Sequence, residues 1–151
     1  MVYELRPLAL KKEGLVGALQ QRLNTVERRV GVEAHLVVNE EIELSPDVEE
    51  AFFRIAQEAL NNALKHATPT SVTVTIQTGG TIPDQHVVLE VVDNGVGFDT
   101  NAVADEGGIG LSSMRERAEQ IGGRLTIHSA SEEGTVVRVV VSTSQWRHNN
   151  E

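Results

Sequence analysis

The chain of 151 residues contains no cysteine, which excludes disulfides, thiol nucleophiles and cysteine-ligated metal sites. Aromatic residues are also scarce, at 3% of the sequence, and this argues against platforms on which nucleic-acid bases stack. Basic side chains are outnumbered, since 13 Lys and Arg residues stand against 22 Asp and Glu residues and the net charge is −9. A chain of this charge lacks the basic surface that a phosphate backbone attracts, so we expect no nucleic-acid partner.

Long hydrophobic runs are missing too. The longest ones, such as 87–89 and 139–141, are far too short to cross a bilayer, and no signal-peptide pattern is present. We therefore expect no direct membrane contact. Hydrophobic residues nevertheless make up 40% of the chain, enough for a core, and the length suits one domain. These features predict an acidic single-domain protein, and the lack of cysteine fits a reducing cytoplasm.

The hydrophobic pattern predicts a mixed α/β protein. Residues 4–30 show apolar spacings of three and four, as in an amphipathic helix that ends at Gly31. A longer helix is predicted from Ser45, as a cap, and Pro46, at the first helical position, to about Ala67. Further periodicity predicts strands at 32–38, 71–76, 87–92, 125–129 and 135–141, and a last helix at 112–121. This order favours a two-layer α/β sandwich with a mixed, mostly antiparallel sheet and its helices on one face.

Polar residues form one stripe on the long helix. At about 100° per residue, Asn62 and Lys65 lie close to Glu58 on the helix surface, whereas Asn61 is predicted to face solvent. A carboxylate, an amide and an ammonium group in one stripe favour a site for Mg²⁺ and phosphate, because Mg²⁺ takes few protein ligands and keeps several waters. An ordinary amphipathic helix with a polar edge would show the same stripe, so both interpretations stay open at this point.

A carboxylate followed by two glycines comes directly after the strand predicted at 87–92. Asp93 would end a buried strand, which is costly unless a group donates to the carboxylate, and the exocyclic amine of a ligand meets that need. Gly95 and Gly97 would let the backbone approach a flat ring closely. A simple Asp-Asn-Gly turn that leaves a strand is the alternative.

A glycine cluster opens the last predicted helix. Gly108, Gly110 and Leu111 lead into a helix N-terminus, where free backbone N–H groups favour phosphate. The cluster is neither a Walker A loop nor a dinucleotide-binding GxGxxG fingerprint. Taken alone, it is a weak indication of an anion site.

The three motifs, in this order on this α/β pattern, resemble the Bergerat-type ATP-binding fold shared by histidine kinases, type II topoisomerases, Hsp90 and mismatch-repair ATPases. In that family they are the N box (58–67), the G1 box (93–97) and the G2 box (108–111). Shorter segments resemble one branch, the catalytic domain of sensor histidine kinases that work with NarL-type response regulators. These segments are 5–7, 14–15, 57–60, 65–67, 114–117 and 121–123.

The resemblance implies roles for residues at the phosphate end of the nucleotide. Asn62 would coordinate Mg²⁺, and Glu58 would polarise the attacking group or a water. Lys65 would contact phosphate, and His66, which follows it in the N box, belongs to the expected nucleotide-binding set. ATP and Mg²⁺ are the implied cofactors.

Other roles follow for the base and the lid. Asp93 would accept a hydrogen bond from the adenine amine, and Thr135 would lie near the base. Gly95 and Gly97 would pack under the ring. The lid would be the segment between Phe98 and Gly107, and Gly108 and Gly110 would hinge it and hold phosphates. Leu111 belongs to the expected nucleotide-binding set.

By this resemblance, the chain is expected to bind Mg·ATP and to donate the γ-phosphate to a histidine on a separate dimerisation domain, for relay to a NarL-type response regulator. None of its five histidines precedes an acidic residue, as the acceptor histidine of that family does. We therefore expect the phosphoacceptor helices to lie outside this chain, and the isolated domain to be a monomer. Residues 1–30 would be the linker and N-terminal helix from the acceptor-domain junction, 31–145 the ATP-binding catalytic domain and 146–151 a frayed tail.

Two other functions stay open. A non-catalytic module of the same fold would use ATP to order its lid and switch a partner contact. An anti-sigma-type serine kinase would also share the fold. ATP binding without phosphotransfer would favour the first, whereas the segments 5–7 and 114–117 favour the sensor branch over the second.

Overall fold

A computed structural model gives the fold of residues 8–39, 44–67, 69–80, 85–96, 111–130 and 133–142. Three helices and five strands lie in these ranges, and their bounds agree with the predicted elements to within a few residues. In chain order they are α1 (Leu8–Val30), β1 (Glu33–Val38), α2 (Pro46–Asn62) with a π-helical turn (Ala63–Ala67), β2 (Ser71–Gly79), β3 (His86–Asp93), α3 (Leu111–Gln120), β4 (Arg124–Ala130) and β5 (Gly134–Ser142).

The five strands form one mixed sheet in the order β1-β2-β3-β5-β4. Strand β1 pairs with β2 in parallel, and the other three pairings are antiparallel. Helix α1 packs on β1, α2 packs on β3, and α3 packs on β4. The predicted two-layer α/β sandwich with a mostly antiparallel sheet is therefore confirmed.

Helix α1 buries the apolar stripe that its sequence predicted. Leu15, Leu19 and Leu23 are all buried in the core, and Gly31 follows the helix with a positive φ of 78°. The helix is broken at Gly14, whose φ of 75° is a left-handed conformation that suits glycine. Beyond the break, the N–H of Leu15 donates to the Oε2 atom of Glu49 in α2 at 3.3 Å, so α1 and α2 are joined by a hydrogen bond as well as by apolar packing.

Helix α2 begins as its sequence predicted. The Ser45 hydroxyl accepts a hydrogen bond from the backbone N–H of Val48 at 3.3 Å, and Pro46 occupies the first helical position. This cap satisfies one of the N–H groups that the first helical turn leaves without a partner. Phe52, Ile55 and Leu60 then anchor α2 in the core, and the helix carries its polar stripe to a fixed position beside the sheet.

The core lies between the helices and one face of the sheet. The strands contribute alternating residues, for example Val72, Val74 and Ile76 of β2, and these are buried while their neighbours are partly exposed or exposed. Among the described helices, none has the length and the apolar run that crossing a bilayer requires.

Candidate functional site

The C-terminal part of α2 carries the first group of predicted site residues. Glu58 and Asn62 are both half-buried, one turn apart on the helix. After Asn62 the backbone changes to a π-helical turn over Ala63–Ala67, and Lys65 within it is exposed. A π-helix has more residues per turn than an α-helix, so the angle predicted for Lys65 from an ideal α-helix does not apply. His66 lies in the same turn, and its side chain is outside the described part of the structure.

Asn61 does not face solvent, and this prediction is wrong. Its side chain is half-buried, and its Oδ1 atom accepts a hydrogen bond of 2.6 Å from the Nη2 atom of Arg22 in α1. An angle of about 100° per residue describes an isolated helix, whereas α1 packs along this side of α2. Arg22 itself lies within the apolar stripe of α1, three residues after Leu19 and four before Val26. A charged residue at this spacing is the sequence signal that could have revealed the contact.

Asp93 ends β3 on the face that packs against the helices. It follows Leu89 and Val91 at the spacing of two that places residues on one face, and all three are buried, Asp93 with 7% of its surface exposed. Burial raises the pKa of the Asp93 carboxyl, although backbone N–H groups of Gly95 and Thr135 donate to it and lower the pKa in part. The Gly95 bond measures 2.8 Å. A buried carboxylate with a raised pKa is typical of a functional site.

Thr135 and Ser129 extend this polar position across the sheet. Thr135 stands opposite Asp93 in the pairing of β3 with β5, and Ser129 stands opposite Thr135 in the pairing of β5 with β4. The hydroxyl oxygens of Thr135 and Ser129 are 2.7 Å apart. Ser129 was missed from the sequence, although a serine after Leu125 and Ile127 at a spacing of two breaks the apolar face of β4.

Backbone packing beside Asp93 is tight. Gly134 has a positive φ of 84°, and a Cβ atom at this position would overlap the carbonyl oxygen of Asp93. The close approach of the two strands therefore requires glycine. Gly95, which follows in the G1 box, is buried.

The remaining predicted residues belong to the glycine-rich segment. Gly97, Gly108 and Gly110 lie outside the described residues. Leu111 begins α3, but its side chain is likewise outside the described part. Helix α3 packs beside α2, so the G2 box leads into a helix next to the one that carries the N box.

These residues offer an acceptor for an amine and oxygen ligands for a divalent ion. The Asp93 carboxylate offers a buried acceptor for an amine, and α2, which packs on β3, offers the amide of Asn62 and the carboxylate of Glu58. Within the ranges that the structure describes, no three His, Asp or Glu side chains gather to hold a metal. An ion with few protein ligands that also binds phosphate, such as Mg²⁺, suits this donor set.

Comparison with known proteins identifies the family. Residues 47–145 match the model of the histidine kinase-, DNA gyrase B- and HSP90-like ATPase family. The chain belongs to this family, and ATP is therefore the ligand of the domain. The matched segment begins in the first turn of α2 and contains Glu58, Asn62, Asp93 and Thr135.

Similar proteins include sensor kinases. The chain is 35% identical over 148 residues to an uncharacterized sensor-like histidine kinase from Chloroflexus aurantiacus, covering 93% of this chain and 24% of that protein. It is 37% identical over 145 residues to the signal transduction histidine-protein kinase/phosphatase DegS from Bacillus subtilis, covering 92% of this chain and 37% of that protein. The chain thus spans about a quarter and about a third of these relatives.

A solved structure has the same fold. The histidine kinase domain of the Erythrobacter litoralis EL346 blue-light activated histidine kinase superposes with a TM-score of 0.69 at 19% identity. The match covers 89% of this chain and 64% of that one. At this identity the likeness shows the fold alone.

Proposed function

We propose that this chain is the catalytic domain of a sensor histidine kinase, which binds Mg·ATP and donates the γ-phosphate to a histidine on separate dimerisation helices. A NarL-type response regulator would then receive the phosphoryl group. Because the reaction consumes ATP, we place the domain in the cytoplasm. The similarity of the chain to two proteins described as histidine kinases supports this choice within the ATPase family.

The observation that carries the proposal is the buried Asp93 carboxylate at the end of β3. Its burial is costly, and an amine donor from a ligand would offset part of that cost. Adenine carries such an amine, whereas guanine carries a carbonyl at the equivalent ring position. In this proposal, the Asp93 carboxylate accepts a hydrogen bond from the adenine amine, and Thr135 lies near the base. Gly95 and Gly97 pack under the ring.

The phosphate end of the proposed site is built on α2. Asn62 would supply an amide oxygen to Mg²⁺, Lys65 would contact phosphate, and Glu58 would polarise the attacking group. Bound Mg²⁺ would neutralise charge on the phosphate oxygens, as in other phosphoryl transfers. The protein's own share is to hold the reactants in place, and helix α2, anchored by Phe52 and Leu60, provides a rigid support for that.

The lid and the N-terminal helix complete the proposal. The G2 box, with Gly108, Gly110 and Leu111, would hold phosphates, and His66 would belong to the nucleotide site. Helix α1 packs on α2 and β1, and its residues share the core with the rest of the domain. We propose that α1 passes from the acceptor-domain junction to the catalytic domain, with dimerisation helices supplied by another part of the parent kinase.

A phosphotransfer assay tests the function. The chain is mixed with Mg²⁺, ATP radiolabelled at the γ-phosphate and a dimeric helical domain that carries a phosphoacceptor histidine. We expect acid-labile, base-stable label on the acceptor and none on the chain itself. An acceptor whose histidine is replaced by glutamine is the matched control.

Two results would overturn the proposal. ATP binding without transfer to any histidine acceptor would favour a non-catalytic switch module. Acid-stable label on a serine of a protein substrate would favour a serine kinase.

A further inference from the structure

Strand β2 is held at its start by the side chain of Asn94. The Oδ1 atom of Asn94 accepts hydrogen bonds from the backbone N–H groups of Thr70 and Ser71, each at 2.9 Å. Its Nδ2 atom donates to the Thr70 hydroxyl at 2.8 Å, and its backbone N–H donates to the carbonyl of Ser71 at 3.2 Å. Four hydrogen bonds therefore connect one exposed residue after β3 to two residues at the start of β2.

Asn94 lies between Asp93 and Gly95, which are joined by a hydrogen bond. Asp93 precedes it, and Gly95, which follows it, donates its N–H to the Asp93 carboxylate at 2.8 Å. The position of the Gly95 N–H depends on the turn from 93 to 95, and the Asn94 side chain fixes that turn against β2. The same contact extends to the sheet edge, because the carbonyl of Thr70 accepts from the N–H of Glu33 at 3.0 Å.

We propose that Asn94 is a positioning residue for base recognition: by holding the turn between Asp93 and Gly95, it fixes the direction in which the Asp93 carboxylate meets the purine. This inference rests on the proposed function and adds a determinant of specificity to it. The hydrogen bonds of Asn94 are exposed, so water competes for each of them, and their contribution to folding is modest. Their combined geometry sets the choice between a 6-amino and a 6-oxo purine.

The chain contains a matched control at the opposite end of the same strand. Asn39 bonds to the backbone of β2 as well, with its Oδ1 atom accepting from the N–H of Thr78 at 3.1 Å and its Nδ2 atom donating to the carbonyl of Thr78 at 3.3 Å. Asn39 is also exposed. Its removal should lower stability in a comparable way without reaching Asp93.

The test compares the affinities of ATP and inosine triphosphate, whose base carries a 6-oxo group. Calorimetry at pH 8 with Mg²⁺ would give both dissociation constants for the parent chain, Asn94→Ala, Asn94→Asp and Asn39→Ala. We expect Asn94→Ala to reduce the preference for ATP by roughly three- to tenfold, the effect of one impaired hydrogen bond. Asn94→Asp should retain the preference, because its carboxylate accepts the same two N–H groups and the Thr70 hydroxyl can rotate to donate.

The outcomes separate this inference from the proposed function. If the parent chain does not prefer ATP, the proposed adenine site is wrong. If the parent prefers ATP and Asn94→Ala keeps the full preference, the site stands and the role of Asn94 is refuted. A loss of preference in Asn39→Ala equal to that in Asn94→Ala would also refute it, because general destabilisation would then explain both. Melting temperatures of all variants establish that they are folded at the assay temperature.

Discussion

Replacement of Asp93 by asparagine separates recognition from stability. The substitution keeps the shape of the side chain but removes the negative charge and places an N–H donor where the adenine amine also donates. In the unliganded protein, burial disfavours the ionised carboxylate and raises its pKa. Asp93→Asn should therefore cost the unliganded fold little, because the variant has no charge to bury and its Oδ1 atom still accepts from the N–H of Gly95.

The loss in binding can be estimated from the contact. An impaired buried hydrogen bond costs about 1–3 kcal/mol, and a middle value of about 2 kcal/mol raises the dissociation constant of ATP roughly thirtyfold. ATP at about 100 times the parent dissociation constant stabilises the parent by about 2.7 kcal/mol but the variant by about 0.9 kcal/mol. For a domain of this size, the ATP-induced rise in melting temperature should fall from roughly 5–11 °C to roughly 2–4 °C.

Thermal unfolding of both proteins, with and without Mg·ATP, measures these quantities together. We expect similar melting temperatures without nucleotide and a much smaller ATP-induced rise for Asp93→Asn. An equal rise in both proteins would refute the reasoning, because the carboxylate would then have no part in binding. A strong fall in the melting temperature of the unliganded variant would contradict the argument from burial.

Three further predictions concern the same site. Asn62→Ala should alter the Mg²⁺ dependence of ATP binding in calorimetry. Asn61→Ala should leave that dependence unchanged and lower stability by roughly 1 kcal/mol, because it loses the hydrogen bond to Arg22. Equal changes of the Mg²⁺ dependence in both variants would contradict the assignment of Asn62. Gly134→Ala should destabilise the protein by roughly 1–3 kcal/mol in denaturant unfolding, because φ is positive there and the added Cβ would overlap the carbonyl oxygen of Asp93. An unchanged unfolding midpoint would refute this. Adenosine affinity should fall as the pH is lowered through the raised pKa of Asp93, because the protonated carboxyl no longer accepts from the amine. The stability that Asp93 contributes to the unliganded protein should be largest at low pH and be lost as the pH rises through that pKa. If Asp93→Asn shows the same pH profile, another group titrates.

Local signals in the sequence predicted most of the elements. The cap formed by Ser45 and Pro46 predicted the start of α2, and the alternation of apolar residues from Val72 to Ile76 predicted β2, because both depend on neighbours within a few residues. The parallel pairing of β1 with β2 and the position of β5 between β3 and β4 depend on contacts between distant segments. Periodicity carries no information about such partners, so the sequence predicted the layers and not the order.

The site shows the same division. Asp93 was predicted correctly as a buried carboxylate at the end of a strand, because the mostly apolar segment 87–92 ends directly before it. The orientation of Asn61 was wrong, since it depends on where α1 packs, and the π-helical turn around Lys65 changes a phase that an ideal helix would keep. The hydrogen bonds of Asn94 to the start of β2 also join segments far apart in the chain, so no local sequence pattern predicts them.

The most direct test of the nucleotide site is an NMR titration of the chain with Mg·ATP. The backbone amides of Gly95 and Thr135 both donate to the Asp93 carboxylate, so they report on that group without any substitution. We predict that these two amide signals shift strongly and saturably, while those of Asn39 and Thr78 at the far end of β2 stay nearly unchanged. Shifts confined to the far end of the sheet, or none at Gly95 and Thr135 when ATP is bound, would contradict the account.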